Sequence, residues 1–359
     1  MVSTAPNPVP GATTARLSAL TVLFIWVSFI LVARGSARAS LMPLDIAWLR
    51  FTFSGLMVLP LAWHFRRALV AGLSAGAGTH AAVSRGPVLA RSPCSGPGAT
   101  APDEEHVPTE ASRLRIAGRR ALALTATGGL GYCLCAYHGF FLAPASHGAV
   151  LLPGTLPLWS TLAALWLLGE RLTASRVAGL ALILAGGAIV AGANVTEALG
   201  GQGTWRGDLL FLVASMMWGV YGVLCRRWRV GALPATAAIA VTTLVLVVPA
   251  YLLAAVAGLV PSRLFSAPLG EVAFQAVYQG GLAMLVAGVA FTQVVAHYGP
   301  VRTTMFTAIV PPLASLAAVP VLGEPLSASA LAGLACVTVG LLVGSGIVDL
   351  RRRSVGAAR

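Results

Sequence analysis

Apolar residues along this chain come in long blocks rather than in strand-like alternation. Ten stretches of roughly 17 to 25 predominantly apolar residues are long enough to cross a bilayer as helices. They lie at about 17–36, 46–65, 119–141, 147–168, 175–193, 207–226, 235–257, 271–293, 302–322 and 328–347, and are numbered here as spans one to ten. The pattern predicts an all-α integral membrane protein. The first block imitates a secretory leader, because Ala37-Arg38-Ala39 looks like a cleavage site. Residues 1–16 carry only one positive charge, Arg16, so it reads as a retained helix. Residues 68–116 break the pattern. They are rich in Gly, Ala, Ser and Pro, hold a short acidic run at Asp103, Glu104 and Glu105, and have no apolar period. They read as a disordered cytoplasmic linker, with regulatory docking as the alternative.

Composition agrees with that picture. Hydrophobic residues make up 57% and charged residues 10%, and mean hydropathy is +0.84, so most of the chain must face lipid or lie between helices. A net charge of +13 would suggest nucleic acid in a soluble protein. Here it follows membrane orientation. With both termini cytoplasmic, the inner side holds Arg66, Arg67, Arg113, Arg115, Arg119, Arg120, Arg226, Arg227, Arg229 and the Arg351–Arg353 cluster, whereas the outer loops hold Arg34, Arg38, Arg206 and Arg263. The bias accounts for the basic charge without a nucleic-acid partner. All the basic residues are Arg and Ala and Gly abound, the usage of a GC-rich bacterial genome, so the bilayer would be a bacterial inner membrane. Five scattered cysteines show no metal-ligand spacing and predict neither disulfide nor metal.

The chain also repeats itself. Residues 157–192 align without a gap on 311–346 at a constant offset of 154. Pro157, Gly169, Glu170, Leu172, Gly179 and Gly186 fall on Pro311, Gly323, Glu324, Leu326, Gly333 and Gly340. Trp26 and Arg34 in span one match Trp218 and Arg226 in span six at an offset of 192, and the long linker accounts for the difference. The predicted repeats are residues 17–193 and 207–347, flanked by a tail at 1–16 and a basic tail at 348–359. Five crossings per repeat is an odd number, so the two copies would sit upside down relative to each other. Inverted-topology repeats recur in secondary transporters, with the substrate site near the midplane between the halves.

These features resemble the drug/metabolite transporter superfamily, in particular ten-helix exporters with two EamA-type domains. The resemblance rests on Trp-Leu-Arg-Phe at 48–51, Gly-Glu-Arg-Leu-Thr at 169–173, Gly-Glu-Pro-Leu-Ser at 323–327, and the Gly-x6-Gly helices that begin at Gly179 and Gly333. The long linker and Val27 after Trp26 depart from the family pattern. The resemblance implies a central cavity lined by spans one, three, four, six, eight and nine. It also implies efflux of metabolites, amino acids or toxic compounds, often driven by the proton gradient.

Candidate functional residues follow from position. Pro157 and Pro311 would stand near the middle of spans four and nine and loosen them as symmetric hinges, or form static kinks. Trp26, Tyr132, Trp159, Trp218, Tyr221, Gln279 and Met284 would give the cavity an aromatic, uncharged lining suited to neutral, zwitterionic or apolar-bodied ligands. Taken singly, each fits ordinary helix packing better, and the set points to a cavity only collectively. Arg50, about one turn inside the outer end of span two, is expected to snorkel to the headgroups near Asp45, with a ligand-carboxylate contact as the alternative. Glu170 and Glu324 would cap the starts of spans five and ten or act as gate or proton-coupling residues. His138 and His297 are proton-carrier candidates at opposite ends of the membrane, too far apart for one relay. Small residues on spans five and ten, including Ala188 with Gly192 and Gly340 with Gly344, permit close helix approach within the chain or in a homodimer. No cofactor is implied. A membrane-embedded enzyme is the rival class, but the sequence has no paired-Asp metal motif, no His-Glu-x-x-His, and no Gly-x-Ser-x-Gly at a membrane boundary. A non-transporting receptor or scaffold is the other alternative.

Overall fold

The computed structural model describes residues 11–74, 109–192 except 171, and 203–344 except 292, 295–296, 299–306 and 308. Among these residues every regular element is helical. Helix α1 spans Ala12–Gly35 and ends in a 3-10 turn, Ser36–Arg38. Helix α2, Pro43–His64, opens on a proline whose fixed φ suits the first helical turn. The short α3, Arg66–Ser74, follows. Helix α4, Glu110–Leu124, runs through a π-helical segment, Thr125–Gly131, into α5, Tyr132–Leu142. Next come α6, Ala145–Leu151, α7, Leu156–Leu168, and α8, Ala174–Gly192. The second half contains α9, Trp205–Trp228, and α10, Ala232–Thr242, which passes through π-helical Thr243–Val247 into α11, Val248–Val256. Helix α12, Leu269–Gln275, continues as π-helical Ala276–Val286, and α13, Val310–Leu322, and α14, Ala328–Gly344, complete the bundle.

Six of these stretches are long and apolar enough to cross a membrane: Ala12–Arg38, Pro43–His64, Ala145–Leu168, Trp205–Trp228, Ala232–Val256 and Leu269–Phe291. Ala174–Val190, Val310–Leu322 and Ala328–Gly344 are shorter apolar helices. Phe24, Trp63, Trp166 and Leu253 point outward and are largely exposed, as a lipid-facing surface requires. One expectation needs correction. The segment read as a linker over 68–116 is helical at both ends, in α3 and the start of α4; its centre, 75–108, lies outside the described residues, as do residues 1–10 and 345–359. Helix α4 starts early on the N-cap Thr109, whose hydroxyl accepts from the Ser112 N–H at 3.4 Å, and the Arg120 guanidinium donates to the Leu73 carbonyl at 2.7 Å, which ties α4 to the end of α3.

Packing interleaves the two halves of the chain. Helix α1 lies on α13, α2 lies on the π-helical segment 276–286, and α9 lies on α5 and α7. The tightest pair is α8 with α14, where backbones touch because the seam is built of glycine. A methyl added to Gly179 would come within 2.5 Å of the Gly344 backbone, and one on Gly186 within 2.7 Å of the Gly333 carbonyl. The small-residue faces of spans five and ten are thus used against each other within the chain. Cys336 donates across the same seam to the Leu182 carbonyl at 3.2 Å, and these two residues are 154 apart. Helices α7 and α13 both end on a left-handed glycine, Gly169 at φ 66° and Gly323 at φ 65°, a conformation other residues adopt only with strain.

Two of the three π-helical segments share a signature, Gly-Gly-Leu at 128–130 and at 280–282. The first pair packs under Tyr221 and Ile239, the second under Phe53 and the Arg50–Ser54 backbone. Because a π turn widens the helix and shifts side-chain register, such segments often mark functional sites. Here they flank the centre of the bundle.

Candidate functional site

A cavity of about 110 Å³ lies at that centre. Helix α1 contributes Ile25, Trp26, Phe29 and Ile30 to its wall, α2 contributes Arg50, and α5 contributes Tyr132. The rest of the lining is Leu152, Pro153 and Leu156 around the start of α7, Trp218 of α9, Ala283 of the π-helical segment, and Val310 at the start of α13. Both halves of the sequence therefore share one chamber.

Span four is interrupted at this wall. Leu152–Thr155 forms a turn between α6 and α7, and the buried Thr155 hydroxyl donates to the Leu151 carbonyl at 2.6 Å and lies 3.0 Å from Ser215. Gly154 is required there, because any side chain would strike the Val150 carbonyl and Val337. The break corrects the expected place of the prolines. Pro157 and Pro311 do not kink the middle of a helix; each sits in the first turn of its helix, α7 or α13, where a missing N–H loses no helical hydrogen bond. The interruption comes before Pro157, at the Pro153-Gly154 pair.

Of the seven residues expected to line the cavity, Trp26, Tyr132 and Trp218 do so. Trp26 stacks on Phe291 with ring centres 5.4 Å apart, and Tyr132 meets Trp218 at 4.8 Å. The others form the layer behind. Tyr221 leans on Trp218 at 5.1 Å. Gln279, fully buried, accepts a 3.0 Å hydrogen bond from Tyr137. Met284 is buried in the core, and Trp159 packs against Gly219.

Arg50 also departs from expectation. Seven residues beyond Pro43, it lies about 10 Å down α2, and it turns into the bundle instead of snorkelling. It is 7% exposed, lines the cavity, and lies 5.8 Å from the centre of the Phe29 ring. One guanidinium nitrogen donates to the Tyr137 hydroxyl at 3.3 Å, while Nε is buried without a partner. Asp45, the expected companion, is occupied elsewhere. It accepts from Tyr251 and Ser262 at 2.6 Å each and from the Met42 and Arg263 backbones at 2.9 and 3.0 Å, pinning the loop before α12 to the start of α2. The chamber is therefore not the uncharged one that composition suggested.

Ion pairs stand at opposite ends of the bundle. Glu324, just past α13, accepts from Arg34 Nε at 2.6 Å, from Arg38 at 3.3 Å and from the Ala145 backbone N–H at 2.8 Å. Arg34 also donates to the Phe140 carbonyl at 2.8 Å. The Arg34 and Glu324 side chains are 19% and 10% exposed. At the far end of α7, Glu170 meets Arg226 at 3.2 Å and Arg176 at 3.4 Å, with Arg226 and Glu170 55% and 35% exposed. Arg34 and Arg226, like Glu324 and Glu170, are the matched positions of the sequence repeat.

The histidines stay apart. His138 Nδ1 is 2.8 Å from its own helix's Leu134 carbonyl, and His297 meets the Tyr298 ring edge-on at 4.7 Å. Sequence reasoning missed a buried pair, His147 and Asp208, whose Nδ1 and Oδ1 are 2.8 Å apart near the start of α6 and of α9. Their separation of 61 residues leaves no local signal. Arg50 did leave one, since an ionisable residue inside an apolar span marks a functional site by default.

A helical bundle with an apolar outer surface and a chamber shared between its halves is the architecture of a multi-pass membrane transporter. Residues 205–345 match the EamA-like transporter family. The chain is 25% identical over 244 residues to the Bacillus subtilis (strain 168) protein named "Uncharacterized transporter YyaM", a match covering 67% of this chain and 77% of the relative. A crystal structure 20% identical in sequence covers 96% of this chain and 98% of its own with a TM-score of 0.51, so the two share the fold. The family match places an EamA-like transporter domain in the second half of the chain, and the named relative is likewise a transporter.

Proposed function

We propose that the protein is a secondary transporter that exports a small metabolite, amino acid or drug-like compound across a bacterial inner membrane. It would do so by alternating access between two inverted five-helix repeats, with both termini cytoplasmic. The observation that carries this reading is the chamber, walled by α1, α2 and α5 from one half and by α9, the 276–286 segment and α13 from the other. A site built by both halves changes its exposure when one half rocks against the other. The break at Leu152–Thr155 puts non-helical backbone at the chamber wall as the hinge position, just before Pro157, and Val310, next to Pro311, lines the same wall at the start of α13.

The ion pairs supply gates. Arg34–Glu324 joins the first half to the second at the outer end, and Glu170–Arg226 joins them at the inner end. The outer pair is largely buried and reinforced by backbone donors, whereas the inner pair is half exposed, so this conformation is the one closed to the outside. On the return stroke the roles exchange. The deciding experiment places purified protein in proteoliposomes, with and without a pH gradient, and offers a pooled library of metabolites. Gradient-dependent movement of a compound class is the expected result. If no compound moves in either condition while a purified ligand-binding or signalling activity persists, the receptor reading replaces this one.

A further inference from the structure

We infer that Arg50 is the anchor for a carboxylate, and that the substrate class is small monoanionic acids with an apolar or aromatic body. The inference rests on the transport reading and names the ligand chemistry of the same chamber. Its starting point is charge accounting. Apart from Glu110, exposed in the first turn of α4, each described carboxylate is already engaged: Asp45 by Tyr251, Ser262 and two backbone N–H groups, Glu170 by Arg176 and Arg226, Asp208 by His147, Glu271 by the Ser40 and Leu41 backbones, and Glu324 by Arg34, Arg38 and Ala145. Among the described residues none forms an ion pair with Arg50.

A guanidinium is always charged, and burying it without an anion is unfavourable unless something else supplies the compensation. Here the compensation is partial. Tyr137 takes one hydrogen bond at 3.3 Å and passes its own proton on to Gln279 at 3.0 Å, and Gln279 donates to Gln275 at 3.3 Å. That chain is neutral throughout. Phe29 presents its ring to the cation at 5.8 Å, a contact weaker than an ion pair. Nε remains buried without any acceptor. The chamber that Arg50 lines provides free volume beside the group. A carboxylate entering that volume meets a fork of N–H donors whose geometry matches its two oxygens. The remainder of the ligand then lies among Trp26, Phe29, Tyr132 and Trp218, which favours an apolar or aromatic body. A phosphate dianion fits less well, because one cation leaves half its charge uncompensated in a site of low dielectric.

The test compares matched pairs that differ only in charge: phenylacetate with phenylacetamide, benzoate with benzamide, and isovalerate with isovaleramide. Binding to the full-length protein in detergent is followed by intrinsic tryptophan fluorescence, which Trp26 and Trp218 report directly. The acids are expected to bind more tightly than their amides by about tenfold or more, the scale of a hydrogen bond to a charged partner. Arg50→Gln should collapse that ratio to near one, and Arg50→Lys, which keeps the charge but loses the planar fork, should leave an intermediate ratio. Because the ratio is internal to each protein, a variant that folds poorly does not imitate the result, and the wild-type comparison stands without any variant. Equal binding of acids and amides, failure of every acid to bind, or an undiminished ratio in Arg50→Gln would overturn the assignment. Proteoliposome flux separates the two levels: amides moving as well as acids defeats only the carboxylate anchor, whereas no flux of any compound defeats the transport reading itself.

Discussion

Removing the Glu324 carboxylate should unlock one end of the chamber, and the geometry fixes roughly by how much. In Glu324→Ala the guanidinium of Arg34 keeps only its bond to the Phe140 carbonyl, and the Ala145 N–H loses its acceptor. Breaking a fully buried ion pair by deleting one partner costs about 3–5 kcal/mol. Arg34 and Glu324 retain 19% and 10% exposure, so solvent screening reduces the figure to about 2 kcal/mol. If the pair forms only in the closed state, that energy shifts the equilibrium toward opening by roughly 30-fold. Glu170→Ala at the other end removes a pair between side chains 55% and 35% exposed, for which about 0.5 kcal/mol, or roughly twofold, is expected. The assay replaces the native cysteines with serine, places one cysteine at the cavity residue Ala283, and measures its alkylation by a membrane-impermeant maleimide added from the Glu324 side. The rate should rise by roughly 30-fold in Glu324→Ala and by no more than about twofold in Glu170→Ala. Equal effects of the two substitutions, or none from Glu324→Ala, would refute the reasoning.

Other outcomes follow from the same geometry. Trp218→Ala should weaken substrate binding by about fivefold through loss of an aromatic wall, read as a raised KM in the proteoliposome assay; Trp159→Ala, behind the wall, should lower thermal stability more than it raises KM. Gly179→Val should lower the thermal midpoint in detergent, since overpacking a seam with no free space costs about 1–3 kcal/mol, whereas Gly118→Ala, with nothing within 4 Å of the added methyl, should be neutral or slightly stabilising. Reporter fusions at Gly201 and after Arg359 should report from opposite sides of the membrane; a shared side would exclude five crossings in the second half.

The sequence disclosed what the bilayer makes obligatory. Apolar length reveals a span because unsatisfied backbone cannot sit in lipid, and Gly169, Gly323, Gly179 and Gly333 stood out because left-handed caps and backbone contact admit no substitute. What it disclosed poorly is direction around a helix axis. The depth of Arg50 could be estimated from its place in span two, but not whether it turned to lipid or to the chamber, and that choice decides whether the site is charged. The interruption at Pro153-Gly154 lies inside an apolar run, where a hydropathy window smooths it away and leaves Pro157, four residues later, as the visible candidate. Depth along the helices points Trp159, Tyr221, Gln279 and Met284 to the chamber, yet they form its supporting layer. His147 and Asp208 come from different halves, and only the fold brings them together.

The glycine seam between α8 and α14 carries a consequence for how such a molecule can move and change. Two helices in backbone contact cannot slide or spread without opening a void that no side chain fills, so under the proposed alternating access this edge would serve as a fixed axle for the cavity helices. Its contacts pair one gene segment with its own duplicate. A bulky replacement at Gly179 is met by Gly344, which has no side-chain atom to give up, and one at Gly186 or Gly333 by the other's carbonyl, so the two copies are bound to keep these small residues together.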